Sequence, residues 1–166
     1  MAPAALKHRH CCQNGWAWIC TSLVLALLSP KGYAAEYWIK FGELVGVEQR
    51  QARVVRELRE IPLKTHHASG AKYYFGFVLR SATSRPFHGY VVHRLPGKPK
   101  VWGGEIPSTG TELDEKTIRT ERRLYANTWA HWVSFDPGDV AGRCLMEIWI
   151  NGRLYKTIPY DVIPVR

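Results

Sequence analysis

Cys144-Leu145-Met146-Glu147-Ile148-Trp149-Ile150, then Asn151-Gly152, then Arg153-Leu154-Tyr155-Lys156-Thr157-Ile158 is a pair of β-prone runs around a two-residue turn. Asn-Gly is the strongest short hairpin signal, because a type I′ turn needs positive φ at both central residues. Counting outward from the turn, Ile150 faces Arg153, Trp149 faces Leu154, Ile148 faces Tyr155, and Glu147 faces Lys156 as an opposite-charge pair. Pro159 cannot donate to a ladder, so regular pairing is expected to weaken there, with Tyr160 to Val165 continuing as an edge segment.

The chain upstream has the same character. Ala71 to Leu79 places Tyr73, Phe75, Phe77 and Leu79 on one face; Phe87 to Leu95 lies between Pro86 and Pro96; Thr128 to Phe135 is ended by Asp136-Pro137-Gly138. Further strands are expected at Tyr37 to Phe41, near Val54 and at Thr117 to Tyr125. Together these make about seven short strands, the pattern of an all-β, antiparallel two-sheet sandwich. Arg53 to Glu60 reads two ways. Arg53 with Glu57 and Arg56 with Glu60 have helical i, i+4 spacing, but Val54, Val55 and Leu58 also suit a charged edge strand, which the β context favours. Pro96 to Thr111, with its repeated Pro and Gly, is the longest irregular stretch, and a loop of that length is more often functional or mobile than neutral.

Residues 1–34 differ from the rest. They hold Lys7, Arg9 and Lys31 and no acidic residue, and their apolar run from Trp16 to Leu28 is 13 residues long. A membrane-spanning helix needs roughly 20, whereas the apolar region of a secretory leader has this shorter length. Gly32-Tyr33-Ala34 puts small residues at −3 and −1 of a signal peptidase site, so cleavage is expected after Ala34, leaving 35–166 as one domain. The expected location is therefore exported, periplasmic or secreted, with no integral membrane segment after cleavage. Of 23 basic residues 20 remain against 14 acidic ones, a charge of +6. Cys11, Cys12 and Cys20 leave with the leader, so Cys144 has no intrachain partner. Its apolar neighbours suggest a buried small hydrophobe; the alternative is an exposed thiol for an intermolecular link.

Ile61-Pro62, Gly70, Phe75-Gly76-Phe77, Trp132 to Gly138, and Glu147-Ile148-Trp149 through Gly152-Arg153-Leu154 are motifs spread over most of the mature chain. In these the chain resembles domain-of-unknown-function family 3859, an uncharacterised bacterial family of exported domains. The resemblance implies an immunoglobulin-like sandwich and an exported compartment. It brings no catalytic residues.

Chemistry-bearing residues do not converge in the sequence. Five histidines remain in 35–166: His66, His67, His88, His93 and His131. A small periplasmic hydrolase or metal-binding protein using His66, His67 and His131, or His88 in place of the last, is the alternative function, since imidazole ligates Zn and Cu. Against it, adjacent histidines seldom share one ion, and His88 and His93, five apart, point to opposite faces of a regular strand. No Gly-x-Ser-x-Gly setting, phosphate-cradling loop or dinucleotide fingerprint occurs, so no enzyme activity and no cofactor are expected.

The charge is the more usable clue. Arg50, Arg53, Arg56 and Arg59 recur every three residues, and Lys98, Lys100, Arg119, Arg122 and Arg123 surround the long loop and the strand after it. A basic surface attracts acidic envelope material or an acidic protein partner, while nucleic acid fits the charge but not the compartment. Trp102, with Lys98, Lys100, Arg119 and Arg122, is the expected partner-binding set. The expected function is thus a non-catalytic binding or structural module of a bacterial cell envelope.

Overall fold

A computed structural model of the chain describes residues 36–98 and 110–165. All regular structure among them is strand: β1 (Tyr37–Val45), β2 (Arg53–Glu57), β3 (Glu60–Leu63), β4 (Tyr74–Ser81), β5 (Phe87–Arg94), β6 (Thr111–Asp114), β7 (Thr117–Arg119), β8 (Arg123–Tyr125), β9 (Thr128–Val133), β10 (Gly142–Ile150) and β11 (Arg153–Pro164). One sheet has the order β2-β1-β4-β9. The other runs β3-β11-β10-β5-β7-β6, with β8 also pairing β5. Every pairing is antiparallel except that of β11 with β3, a departure from the wholly antiparallel expectation.

Strand alternation builds the core between these sheets. Phe75, Phe77 and Leu79 of β4 and Trp129 of β9 meet Phe87 and Val91 of β5, Met146 and Ile148 of β10, and Ile158, Tyr160 and Val162 of β11. Phe77 meets the Trp129 ring edge-on at 4.9 Å, and Tyr125 stacks on Trp129 at 4.8 Å. Gly89 makes room for this indole: a Cβ there would lie 2.6 Å from Cζ3 of Trp129.

Eleven strands among the described residues replace the expected seven or so, because several runs are divided. The two sheets share the Arg53 to Glu60 segment: β2 pairs β1, and after Leu58-Arg59 the chain crosses to pair β3 with β11. It is strand, as favoured, but two short strands in different sheets. Arg56 bonds Glu43 across the β1–β2 ladder at 2.7 Å rather than Glu60 along a helix. Thr117 to Tyr125 is likewise split. Thr120 leaves the ladder line, its amide donating to Val91 O and its Oγ1 accepting from Val91 N, and β8 then resumes on β5.

The hairpin turn is as expected, with φ of 50° at Asn151 and 79° at Gly152. Its register holds for two pairs only. Ile150 faces Arg153 and Trp149 faces Leu154, but then Ile148 faces Lys156 and Glu147 faces Thr157, leaving Tyr155 as the extra residue of a bulge. The unbulged register would set Ile158 opposite Leu145 on the outer face. A one-residue shift exchanges the faces and returns Ile158, Tyr160 and Val162 to the core. The expected Glu147–Lys156 pair does not form; Glu147 accepts a 2.6 Å bond from Arg94 of β5.

Nor does pairing weaken at Pro159, or Tyr160 to Pro164 lie at an edge. Asp161 donates to Arg59 O on the β3 side, so in an alternating strand the nitrogen of Pro159 also faces that side, short of the point where β3 begins. No bond to β10 is lost, and β11 continues between β10 and β3. Trp129→Ala should cost about 3–5 kcal/mol of stability, read as a lower urea midpoint with an unchanged slope.

Candidate functional site

The outer face of the larger sheet carries a group of aromatic and charged side chains that the strand register brings together. Leu154 of β11, Trp149 of β10 and Tyr90 of β5 are consecutive cross-strand neighbours. The Tyr90 and Trp149 rings stack at 5.7 Å with planes 10° apart, and Leu154 is 49% exposed. Arg119 of β7 pairs with Val92, one diagonal step from Tyr90, and its guanidinium carbon lies 6.0 Å from that ring. Beside the rings, Glu147 accepts from Arg94 Nε at 2.6 Å and from Trp149 Nε1 at 3.4 Å. The hydrogen bond and charge of Glu147 raise the Arg94 pKa above its ordinary value. This group therefore offers apolar rings, one engaged carboxylate and two exposed guanidinium groups, with the Arg143–Asp161 pair, 4.0 Å apart, farther along the same face.

Of the expected partner-binding residues, Arg119 lies in this group. Lys98 and Arg122 are exposed on the connections that leave β5 and β7. Lys100 and Trp102 lie outside the described residues, as do the leader 1–34 and most of the Pro96 to Thr111 loop. The sequence reading missed Tyr90 and Trp149. Their alternation marked strands without showing that β5 and β10 are neighbours.

The histidines are distributed differently from the alternative reading. His66 is exposed, with its Nδ1 2.9 Å from Thr65 Oγ1. His67 Nδ1 lies 3.9 Å from Glu43 Oε1, and its ring meets Tyr73 edge-on at 5.1 Å. His88 is on the outer side, its backbone amide donating to Asn151 Oδ1 at 2.9 Å. His131 of β9 faces neither His66 nor His67: its Nε2 lies 2.9 Å from Nε2 of His93 on β5, joining the two sheets. Burial drives the His93 pKa down to about 4. Burial and then the neighbouring His93 push that of His131 well below the ordinary histidine value. Among the described residues no three His, Cys, Asp or Glu side chains converge closely enough to hold a metal ion.

Cys144 is buried on the inner face of β10, 2% exposed, the reading its apolar neighbours suggested. Burial pushes its thiol up to about 11. Its burial puts the sulfur out of reach of an intermolecular link, and its raised pKa disfavours the thiolate. In the native protein Ellman's reagent should detect no more thiol than in Cys144→Ser, and denaturant should expose one further equivalent.

Comparison with known proteins agrees with this architecture. Residues 45–163 match the family model described as PM0630 beta sandwich domain. An immunoglobulin-like protein from Pseudomonas aeruginosa superposes with a TM-score of 0.50 at 18% identity, over 80% of this chain and 100% of that one. At that identity the likeness establishes an immunoglobulin-like fold. No curated protein matches the chain in sequence.

Proposed function

The chain belongs to the PM0630 beta sandwich domain family, and from that premise we propose that it is a non-catalytic binding module of a bacterial cell envelope, exported after removal of residues 1–34. The resemblance of its Phe75-Gly76-Phe77 and Trp132 to Gly138 motifs to family 3859, whose members are exported sandwiches, belongs to the same reading. The observation that carries the binding role is Arg119 set over Tyr90 of the Tyr90–Trp149 stack on the outer sheet face. Aromatic rings supply contact area at low entropy cost, and the guanidinium supplies a fork of donors for a carboxylate or phosphate. With a charge of +6 on 35–166, the ligand class is an acidic envelope component; Lys98 and Arg122 extend the contact along the adjoining connections, and Lys100 and Trp102 join the proposed set on their sequence alone.

Protein recovered from the envelope fraction should begin at Ala35 by N-terminal sequencing; an intact Met1 terminus would remove the export step. That protein should bind vesicles rich in anionic lipid or a soluble acidic polysaccharide at about 0.15 M salt, where screening acts over about 8 Å. Arg119→Ala combined with Tyr90→Ala should weaken capture at least about tenfold, a loss of roughly 1.4 kcal/mol. The melting temperature should change little. Trp102→Ala tests the loop in the same way. Binding that is lost on adding salt and indifferent to all three substitutions would show that the charge is generic and that the face has no role.

A further inference from the structure

His93 and His131 are 38 residues apart in sequence and belong to different sheets, yet their Nε2 atoms approach to 2.9 Å. One nitrogen must donate a proton and the other offer a lone pair, so the bond needs at least one neutral ring to accept it. Protonation of both rings removes the acceptor and sets two charged N–H groups against each other between the sheets.

The surroundings offer that charge little compensation. On the inward face, His131 is in register with Phe77 of β4, whose ring lies 5.5 Å away. His93 is in register with Met146 of β10 and Ile118 of β7. Beyond Ile118 comes Glu112 of β6, an exposed carboxylate at the sheet's edge and the one acidic side chain in that row. The charged groups next to the pair in sequence or register, Arg94, Arg119 and Glu147, belong to the opposite, outer face. The larger sheet holds β5 between β10 on one side and β7 and β8 on the other, whereas β9 is the last strand of its sheet, six residues long and bonded to β4 alone.

We propose that the His93–His131 bond is an acid-released latch: protonation of the pair breaks the link between the sheets and lets β9 part from the sandwich while the β10–β11 hairpin stays folded. The direction follows from linkage. Both histidines have folded-state pKa values below the ordinary 6.5, so the released state binds more protons, and the latch's contribution is lost as pH falls from about 6.5 toward about 4.

Hydrogen exchange of the full chain reads this directly. For one histidine titrating at 6.5 when released and at about 4 when latched, opening should increase about fifty-fold between about pH 7 and about pH 4.5. After correction for intrinsic exchange, the β9 amides that bond β4 should show that rise while those of 144–158 remain protected. In His93→Gln/His131→Gln, where two amides can keep a bond that does not titrate, β9 should stay protected at both values. Equal acid exposure of β9 in that variant, or simultaneous loss of protection in β9 and the hairpin, would overturn the proposal. Should the double variant fail to fold, imidazole nitrogen shifts of the unaltered chain decide: at least one ring should remain neutral until β9 opens, and protonation of both rings with β9 still protected would overturn it.

Discussion

The extra residue at Tyr155 sets which half of β11 enters the core. Before the bulge, Arg153 and Leu154 keep simple hairpin register with Ile150 and Trp149; after it, Ile158, Tyr160 and Val162 line the inner face beside Met146 and Cys144. Without that shift three large side chains would face outward along half of a twelve-residue strand. Tyr155 is itself used: its hydroxyl donates to Tyr37 O at 2.8 Å, and its ring meets that of Tyr37 edge-on at 5.4 Å. The bulge thus both orients β11 and ties it to β1 of the other sheet. Tyr160 then meets Phe41 and Phe75 across the core, and β3 adds alongside Asp161 to Pro164.

The two histidines that meet between the sheets are each other's Nε2 partner. A buried imidazole needs a partner for its N–H and for its lone pair, and an opposing imidazole supplies one or the other. The pairing takes two histidines away from any metal arrangement built on His66 and His67, which lie on the connection between β3 and β4. On the outer face the same strands do different work: Tyr90 and Trp149 turn outward from β5 and β10, two strands whose alternate residues close the core.

Legibility differed with sequence separation. The turn at Asn151-Gly152 and the alternation of Tyr73, Phe75, Phe77 and Leu79 depend on adjacent residues, and both are in place. The burial of Cys144 was readable from Leu145 and Met146. Arg119 was singled out for its charge, but its setting over Tyr90 required β7 to lie beside β5. The Glu147–Lys156 pair failed because two-residue counting cannot detect a bulge, whose cause is burial further along β11. His93 and His131 looked unrelated because nothing local to either one specifies the sheet order.

The sequence by itself determined that this is an all-β chain, where its turns and most of its strands fall, and that it carries a basic surface, since those properties follow from residue type and from a side-chain period of two. The tertiary structure alone decided the register of β11, the division of residues 53–63 between two sheets, and the partners of His93, His131, Glu147 and Arg119. Those outcomes rest on which apolar faces can be buried against each other across the whole sandwich, a condition that no short stretch of chain can state.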